Sequence, residues 1–426
     1  MSKNIVICCD GTGNEINTTI SNVLKLYRVL EKDEGQRVYY HPGVGTIGLQ
    51  SAWQRFKQET YAVFALATGA GLDEDTLATY RFLCETYHDG DRVWLFGFSR
   101  GAYTVRVLAA FVQVIGLLPP DQLDLAGYAF SAYKNASANS QSPGSKTFLD
   151  EAWYFSRVAG GYHIPIDFIG VWDTVASVIV PRQDKFLLDL QTLVYTRTNP
   201  SVKKFRQAIS IDERRRMFRL NRWIEPQKYR PNIFDPSSAI DQDIRQVWFA
   251  GVHGDVGGGY PEKESGLSKF PLLWMIDEAV AAGLRVDRSM VNHLGWGEPR
   301  LGSNHVYVAP DPTAHLHVSL TAPWEILEWL PKKAKWREWP QRKCFLGFYL
   351  PRGEPRPIPD GAIIHQSVVD RMAKVPSYQP INMPASYTIE LGPTRPIQTS
   401  EDVSESFSSV GLRGARDWTD DTRGIL

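Results

Sequence analysis

The run Arg92-Val93-Trp94-Leu95-Phe96-Gly97-Phe98-Ser99-Arg100-Gly101-Ala102-Tyr103 decides how this chain folds. Arg92–Phe98 is apolar after its first residue and rich in aromatic and β-branched side chains, which reads as a buried strand. Apolar residues continue from Ala102 to about Val114 and read as a helix. The turn between them is Gly97-Phe98-Ser99-Arg100-Gly101, a Gly-x-Ser-x-Gly pattern. A strand that turns directly into a helix brings the two elements close together, so glycines flank the bend and the central residue is strained. Such a bend lifts the serine hydroxyl above the sheet edge, at a helix N-terminus. Ser99 is therefore the candidate nucleophile; the plainer reading is a serine that merely caps the helix.

Working outward, short apolar runs alternate with helical stretches over the first two-thirds of the chain. That alternation predicts an α/β fold with a mostly parallel central sheet flanked by helices, of the α/β-hydrolase kind. Asn4–Cys9, Arg37–Tyr40, Ile166–Trp172 and Gln246–Val252 read as further strands. Ile20–Leu30, Trp53–Leu66 and Thr76–Tyr87 read as helices. Residues 1–290 are expected to form the catalytic core, with 120–160 as an insertion, and 291–426 a looser extension packed on it. Asn135–Lys146 is small, polar and breaker-rich, and reads as a loop.

A serine hydroxyl needs a base, and the base an orienting acid. In this fold they follow the serine in the order acid, then histidine. Asp173 directly follows the strand Ile166–Trp172, and His253 directly follows Gln246–Val252. Both stand at strand C-terminal ends, where open parallel sheets build their sites. Asp255 is the rival acid and His41 the rival base; Asp173 has a plainer reading as a helix cap, and His253 as a satisfied buried histidine. For the oxyanion, one donor is expected from the Arg100 N–H. The second is expected from Gly11 or Thr12, in the loop leaving the first strand, unless that loop is an ordinary Asp-Gly turn.

The balance of the chain excludes some classes. Its 426 residues carry 47 Lys+Arg against 47 Asp+Glu, which gives no basic excess for a nucleic-acid partner. Cys8, Cys9, Cys84 and Cys344 have no metal-type spacing and read as reduced and buried, suggesting a cytoplasmic protein. No signal peptide or membrane-spanning run is evident, although export without a cleaved signal is compatible with this. Gly43-Val44-Gly45-Thr46-Ile47-Gly48 fits a dinucleotide-binding pattern, but Pro42 separates it from a strand and no helix opens inside it. A metal site built from Asp10, Asp173 and His253 would leave the serine bend without purpose. No cofactor or metal is expected.

Taken together, these pieces resemble a family of α/β-hydrolases that includes the catalytic domains of type VI secretion lipase effectors of the Tle class. The matching residues are Cys9-Asp10-Gly11-Thr12-Gly13-Asn14, Gly43-Val44-Gly45-Thr46 and Gly97-Phe98-Ser99-Arg100-Gly101-Ala102-Tyr103. They continue through Gly170-Val171-Trp172-Asp173-Thr174-Val175, Ile211-Asp212-Glu213-Arg214 and Trp248–Tyr260, with a weaker echo at Ile364-His365-Gln366-Ser367-Val368. The resemblance implies a Ser99–Asp173–His253 triad and phospholipase or esterase activity. The chain departs from the pattern in two places. A histidine that members often carry before Ile-Asp-Glu-Arg is absent near Gln207, and Gly254 stands where members often have serine.

The expected partner is a small-molecule or lipid ester, with room for peripheral contact with a membrane. A small soluble ester, or a non-catalytic or dinucleotide-binding relative, is the alternative. Asp212-Glu213-Arg214-Arg215-Arg216 reads as a solvated charged face, or else as an arginine site for phosphate. Trp324–Trp339, with four tryptophans and three lysines, reads as packed on the core, or else as lying at a lipid interface.

Overall fold

The strand Arg92–Phe98 lies within an eight-stranded sheet in which every neighbouring pair is parallel. Its strands are β1 (Asn4–Cys9), β2 (Gln36–His41), β3 (Arg92–Phe98), β4 (Ile166–Trp172), β5 (Val202–Ser210), β6 (Asp243–Phe249), β7 (Ala362–His365) and β8 (Tyr387–Glu390). Their order across the sheet is β8-β7-β6-β5-β4-β3-β1-β2. The computed structural model describes residues 2–11, 19–43, 71–139, 146–175, 179–181, 188–190, 193–232 and 235–393. Met1–Gly392 form one unit and Pro393–Leu426 a second, and all the elements above belong to the first.

Alternating side chains build the two layers. Val6 and Cys8 of β1 join Trp94, Phe96 and the helix α1 (Asn22–Val29) on one face. Ile5, Ile7 and Cys9 join Val93, Leu95 and the helix α2 (Ser99–Ile115) on the other. The period-2 geometry of a strand explains why adjacent Cys8 and Cys9 enter different cores. α2 is buried along its whole length, which explains its nearly unbroken apolar sequence.

The chain runs from β1 outward to β2, then returns to place β3 on the other side of β1. The helices following β1 and β3 therefore lie on opposite faces, and a crevice opens at the strand ends between them. Ser99 directly follows β3 and Asp10 directly follows β1, so both border this switch point.

Several expectations need correcting. β5 was hidden because Lys203, Lys204 and Arg206 break its apolar pattern. Lys203 pairs with Asp167 at 2.8 Å, and Arg206 with Asp243 at 2.8 Å and with Glu278. β7 and β8 lie within 291–426, expected as a looser extension packed on the core, and they extend the central sheet itself. The loop read at Asn135–Lys146 is helical through Asn139 and again from Lys146. Cys344 is exposed rather than buried. The helix read at Trp53–Leu66 and the glycine pattern at Val44–Gly48 lie outside the described residues.

Candidate active site

Sterics force the bend at Ser99. A Cβ on Gly97 would sit 2.5 Å from the Gly101 carbonyl oxygen, and one on Gly101 would sit 2.2 Å from that of Cys9. Both separations are far inside van der Waals contact, so only glycine fits on either side of the serine. Ser99 itself takes φ 56, a left-handed conformation costly to a residue with a side chain. Arg100 lies in the first turn of α2, where amide groups point to the positive end of the helix dipole.

Asp173 follows β4 in a second left-handed conformation, φ 38. Ser99 and Asp173 are two of five non-glycine residues with positive φ among those described. Strain of this kind persists where the surroundings over-determine it, often at functional sites. Here the surroundings are visible. Asp173 Oδ1 accepts hydrogen bonds from the Ser210 N–H and hydroxyl, each 3.0 Å away. Its Oδ2 lies 2.5 Å from His253 Nδ1.

The same carboxylate meets Arg356, whose Nη1 is 2.6 Å from Oδ1 and whose Nη2 is 3.1 Å from Oδ2. The guanidinium also donates to Ser210 Oγ at 2.6 Å and to the Phe218 carbonyl at 2.7 Å. Burial opposes ionisation of Asp173, but the Arg356 charge and the His253 contact outweigh it, so its carboxyl sits well below the usual carboxylate range. The His253 pKa is also lowered, from its ordinary value of 6.5, because burial lowers it more than Asp173 raises it. The site therefore holds an ionised acid beside a neutral imidazole near neutral pH.

His253 begins a short helix, His253–Gly257, after β6. Its backbone N–H donates to Glu213 Oε2 at 3.2 Å. Its ring lies 4.6 Å from that of Phe98, the residue before the serine, and 4.8 Å from that of Phe218. The contact with Phe98 needs Gly257, where a Cβ would sit 1.8 Å from the Phe98 ring. With Nδ1 engaged by Asp173, Nε2 is buried and makes no hydrogen bond among the described residues.

Asp173, rather than Asp255, meets His253. Asp255 instead pairs with His317 at 2.6 Å, in a cluster where Tyr260 stacks on the His317 ring at 3.5 Å. His41 ends β2, with β1 between it and the serine strand; its Nε2 is 3.8 Å from Asp75. Asp10 accepts from Ser21, Tyr40 and its neighbour Gly11, whose N–H is 2.7 Å from Asp10 Oδ1. Thr12 lies outside the described residues. Gln207 accepts from the buried Arg106 at 3.0 Å. A cavity of about 360 Å³ opens at the other end of the sheet, before β4 and β5, and does not include Ser99.

Three neighbours of the Asp173–His253 pair escape sequence reading. Arg356 sits in a Pro-rich stretch with no periodicity, and Ser210 ends the strand that charge concealed. Glu213 belongs to the charge cluster read as solvated, yet it is buried. It accepts from the Arg214 and Arg215 backbone, the Arg215 side chain, His253 N–H and Ser319. Burial works against its ionisation, but Arg215, Arg356 and His253 hold it at about 2. The one clue was its place in Ile-Asp-Glu-Arg, directly after a buried strand.

A parallel sheet bearing a glycine-flanked serine bend at its switch point defines an α/β-hydrolase-type protein. Within that class, the chain belongs to the family of Tle1-like phospholipase effectors of the T6SS, catalytic domain, whose model matches residues 3–278. An uncharacterized protein of Saccharomyces cerevisiae, YEL023C, is 31% identical over 244 residues, covering 54% of this chain and 34% of that protein. The chain thus spans about a third of that relative's length.

Two solved structures are similar. An uncharacterized protein from Pseudomonas aeruginosa has TM-score 0.35 and 19% identity, covering 67% of this chain and 46% of that one. The Tle1 effector bound to the VgrG spike of the type 6 secretion system has TM-score 0.31 and 17% identity, covering 62% of this chain and 52% of that one. Both scores are too low to carry the fold assignment, which rests on the sheet order and the family match.

Proposed function

We propose that this chain is a serine hydrolase of carboxylic esters, with lipid acyl esters as its substrate class. The observation that carries this reading is the Asp173–His253 hydrogen bond. Nε2 makes no hydrogen bond among the described residues, and the ring packs against Phe98, the residue before the serine. A neutral imidazole with Nδ1–H held by a carboxylate has its Nε2 lone pair ready for a proton.

Ser99 Oγ attacks the ester carbonyl as His253 Nε2 takes its proton. Asp173 fixes the tautomer and supports the imidazolium that forms. The tetrahedral oxyanion is met by the Arg100 N–H and a second amide from the loop after β1. Of the two amides expected there, Gly11 and Thr12, the Gly11 N–H is held by Asp10 Oδ1 at 2.7 Å. His253 then protonates the leaving alcohol, and water releases the acyl group by the same steps in reverse.

The lipid preference draws on membership of a phospholipase family. A fluorophosphonate probe should label the chain once, and Ser99→Ala should abolish both labelling and turnover. Turnover retained by Ser99→Ala would overturn the reading. A chain-length series of nitrophenyl esters beside phospholipid vesicles tests the substrate class; confinement of activity to the shortest esters would reject lipids.

A further inference from the structure

Besides Ser99 and Asp173, two of the five non-glycine residues with positive φ, Leu346 and Arg352, fall close together late in the chain. Leu346 is the more informative. The Phe345 N–H donates to the Phe348 carbonyl at 2.8 Å and the Phe348 N–H to the Phe345 carbonyl at 2.9 Å, closing a two-residue hairpin. Its central residues, Leu346 at φ 47 and Gly347 at φ 78, both take the left-handed conformation. Turns of this kind favour Asn, Asp or Gly at the first central position. A leucine there carries conformational strain, and burial does not compensate it, since Leu346 is 82% exposed and Phe345 78%. Where a sequence breaks a local rule with no gain inside the fold, the gain is sought in a contact outside it.

The rest of the segment has the same character. Lys332–Lys333 pair antiparallel with Phe348–Tyr349, and Ala334 N–H bonds to the Gly347 carbonyl at 2.7 Å, so the turn is braced on a basic strand. Ile326, Trp329 and Leu330 are also exposed, and the Arg352 guanidinium lies 4.3 Å from the Trp329 ring centroid. From Trp324 to Arg352 the chain carries seven Lys or Arg against Glu325, Glu328 and Glu338, whereas the whole sequence is balanced. Glu328 is taken up by the Arg216 N–H at 2.6 Å, and Glu338 by Arg219. The surface is thus apolar at its tip and cationic around it.

It is also continuous with the candidate site. Trp324, at the start of this segment, packs edge-on to Phe218 at 5.4 Å, and Phe218 packs edge-on to His253 at 4.8 Å.

We propose that the Phe345–Phe348 hairpin is a membrane wedge: its apolar tip enters an anionic lipid surface while the surrounding lysines and arginines meet the headgroups. This rests on the lipid-ester reading above and extends it to how the chain reaches its substrate. An amphipathic surface of this kind gains from burying apolar side chains and from attraction to anionic lipid together.

The test is flotation of the full chain with vesicles of equimolar phosphatidylcholine and phosphatidylglycerol. Ser99→Ala serves as the background, so that no lipid is consumed. The parent should bind, and more weakly at high salt or to phosphatidylcholine alone. Phe345→Asp and Leu346→Asp should each weaken binding at least about tenfold. Leu346→Gly relieves the strained conformation, so it should weaken binding while melting no earlier than the parent; this separates lost insertion from lost folding. In the Ser99 protein, the same tip changes should leave hydrolysis of a water-soluble nitrophenyl ester within about twofold.

Absence of vesicle binding by the parent, or equal binding by the tip variants, would overturn the proposal. So would a dimer that the tip variants dissociate, since the surface would then belong to a second copy. The outcome is separable from that of the nucleophile: soluble-ester turnover tests Ser99, and flotation tests the hairpin.

Discussion

Arg356 grips both carboxylate oxygens of Asp173, at 2.6 and 3.1 Å, and so shares with His253 the carboxylate that meets its Nδ1. Both the arginine and the aspartate are buried. The forked guanidinium fixes the carboxylate plane, while Ser210 and the Phe218 carbonyl fix the guanidinium. The acid is thereby held without help from solvent. The added positive charge also draws on the carboxylate that would otherwise raise the basicity of His253.

Arg356→Lys is expected to keep the charge and lose the paired contact, because an ammonium cannot match both oxygens. Turnover should fall by about 10- to 100-fold with modest loss of stability. Arg356→Met removes the charge and leaves the aspartate buried with less compensation, which should cost about 3–5 kcal/mol of folding stability. Denaturant melts beside kcat measurements separate the two effects. An Arg356→Met protein as stable and active as the parent would contradict this account.

The pH dependence follows from His253. Its pKa lies below the ordinary 6.5, and only the neutral ring can accept a proton. If His253 is the proposed base, turnover should be lost as pH falls through that lowered pKa and the ring is charged, and retained above it. The acidic limb of kcat/KM should therefore have its midpoint below 6.5, read from a pH–rate profile on a soluble ester. Asp173→Asn should lower kcat by about 10³- to 10⁴-fold by favouring the wrong tautomer.

Glu213 provides a separate acid-stability test. Its pKa is held at about 2 against an ordinary 4.5. A depressed carboxylate contributes its full stabilisation above the unfolded value, and loses it as pH falls toward the folded one. The stability difference between the parent and Glu213→Gln should be steady at neutral pH and shrink from about pH 4.5 downward, measured by urea unfolding across that range.

Gly101→Ala should be among the most damaging single-methyl changes. The new Cβ would fall 2.2 Å from the Cys9 carbonyl oxygen, in backbone that cannot swing aside as a side chain would. Overpacking of this kind costs about 1–3 kcal/mol or more, and here it also pushes the serine bend away from the end of β1. Thermal melting and fluorophosphonate labelling rate should both decline. Gly90→Ala provides a contrast: that position has positive φ but open space around a Cβ, so its effect comes from backbone strain alone.

The local grammar of the chain determined the elements that carry the candidate site. Apolar runs Asn4–Cys9, Arg92–Phe98 and Ile166–Trp172 are strands within the sheet. The glycine-flanked serine lies at the bend, and Asp173 and His253 both follow sheet strands, because hydrophobic alternation and turn sterics act over a few residues. What the tertiary structure alone decided is which charges are paired and which apolar groups stay uncovered. Arg356 reaches Asp173 across 183 positions of sequence. β5 enters the sheet because Asp167, Asp243 and Glu278 neutralise its lysines and arginine. Glu213 looked solvated in a run of charge and is buried against the histidine loop. The Trp324–Arg352 segment turns Trp324 toward the site and leaves the Phe345–Phe348 tip exposed. Coulombic partners and burial depend on distance in space, and separation along the chain carries no record of it until the sheet has assembled.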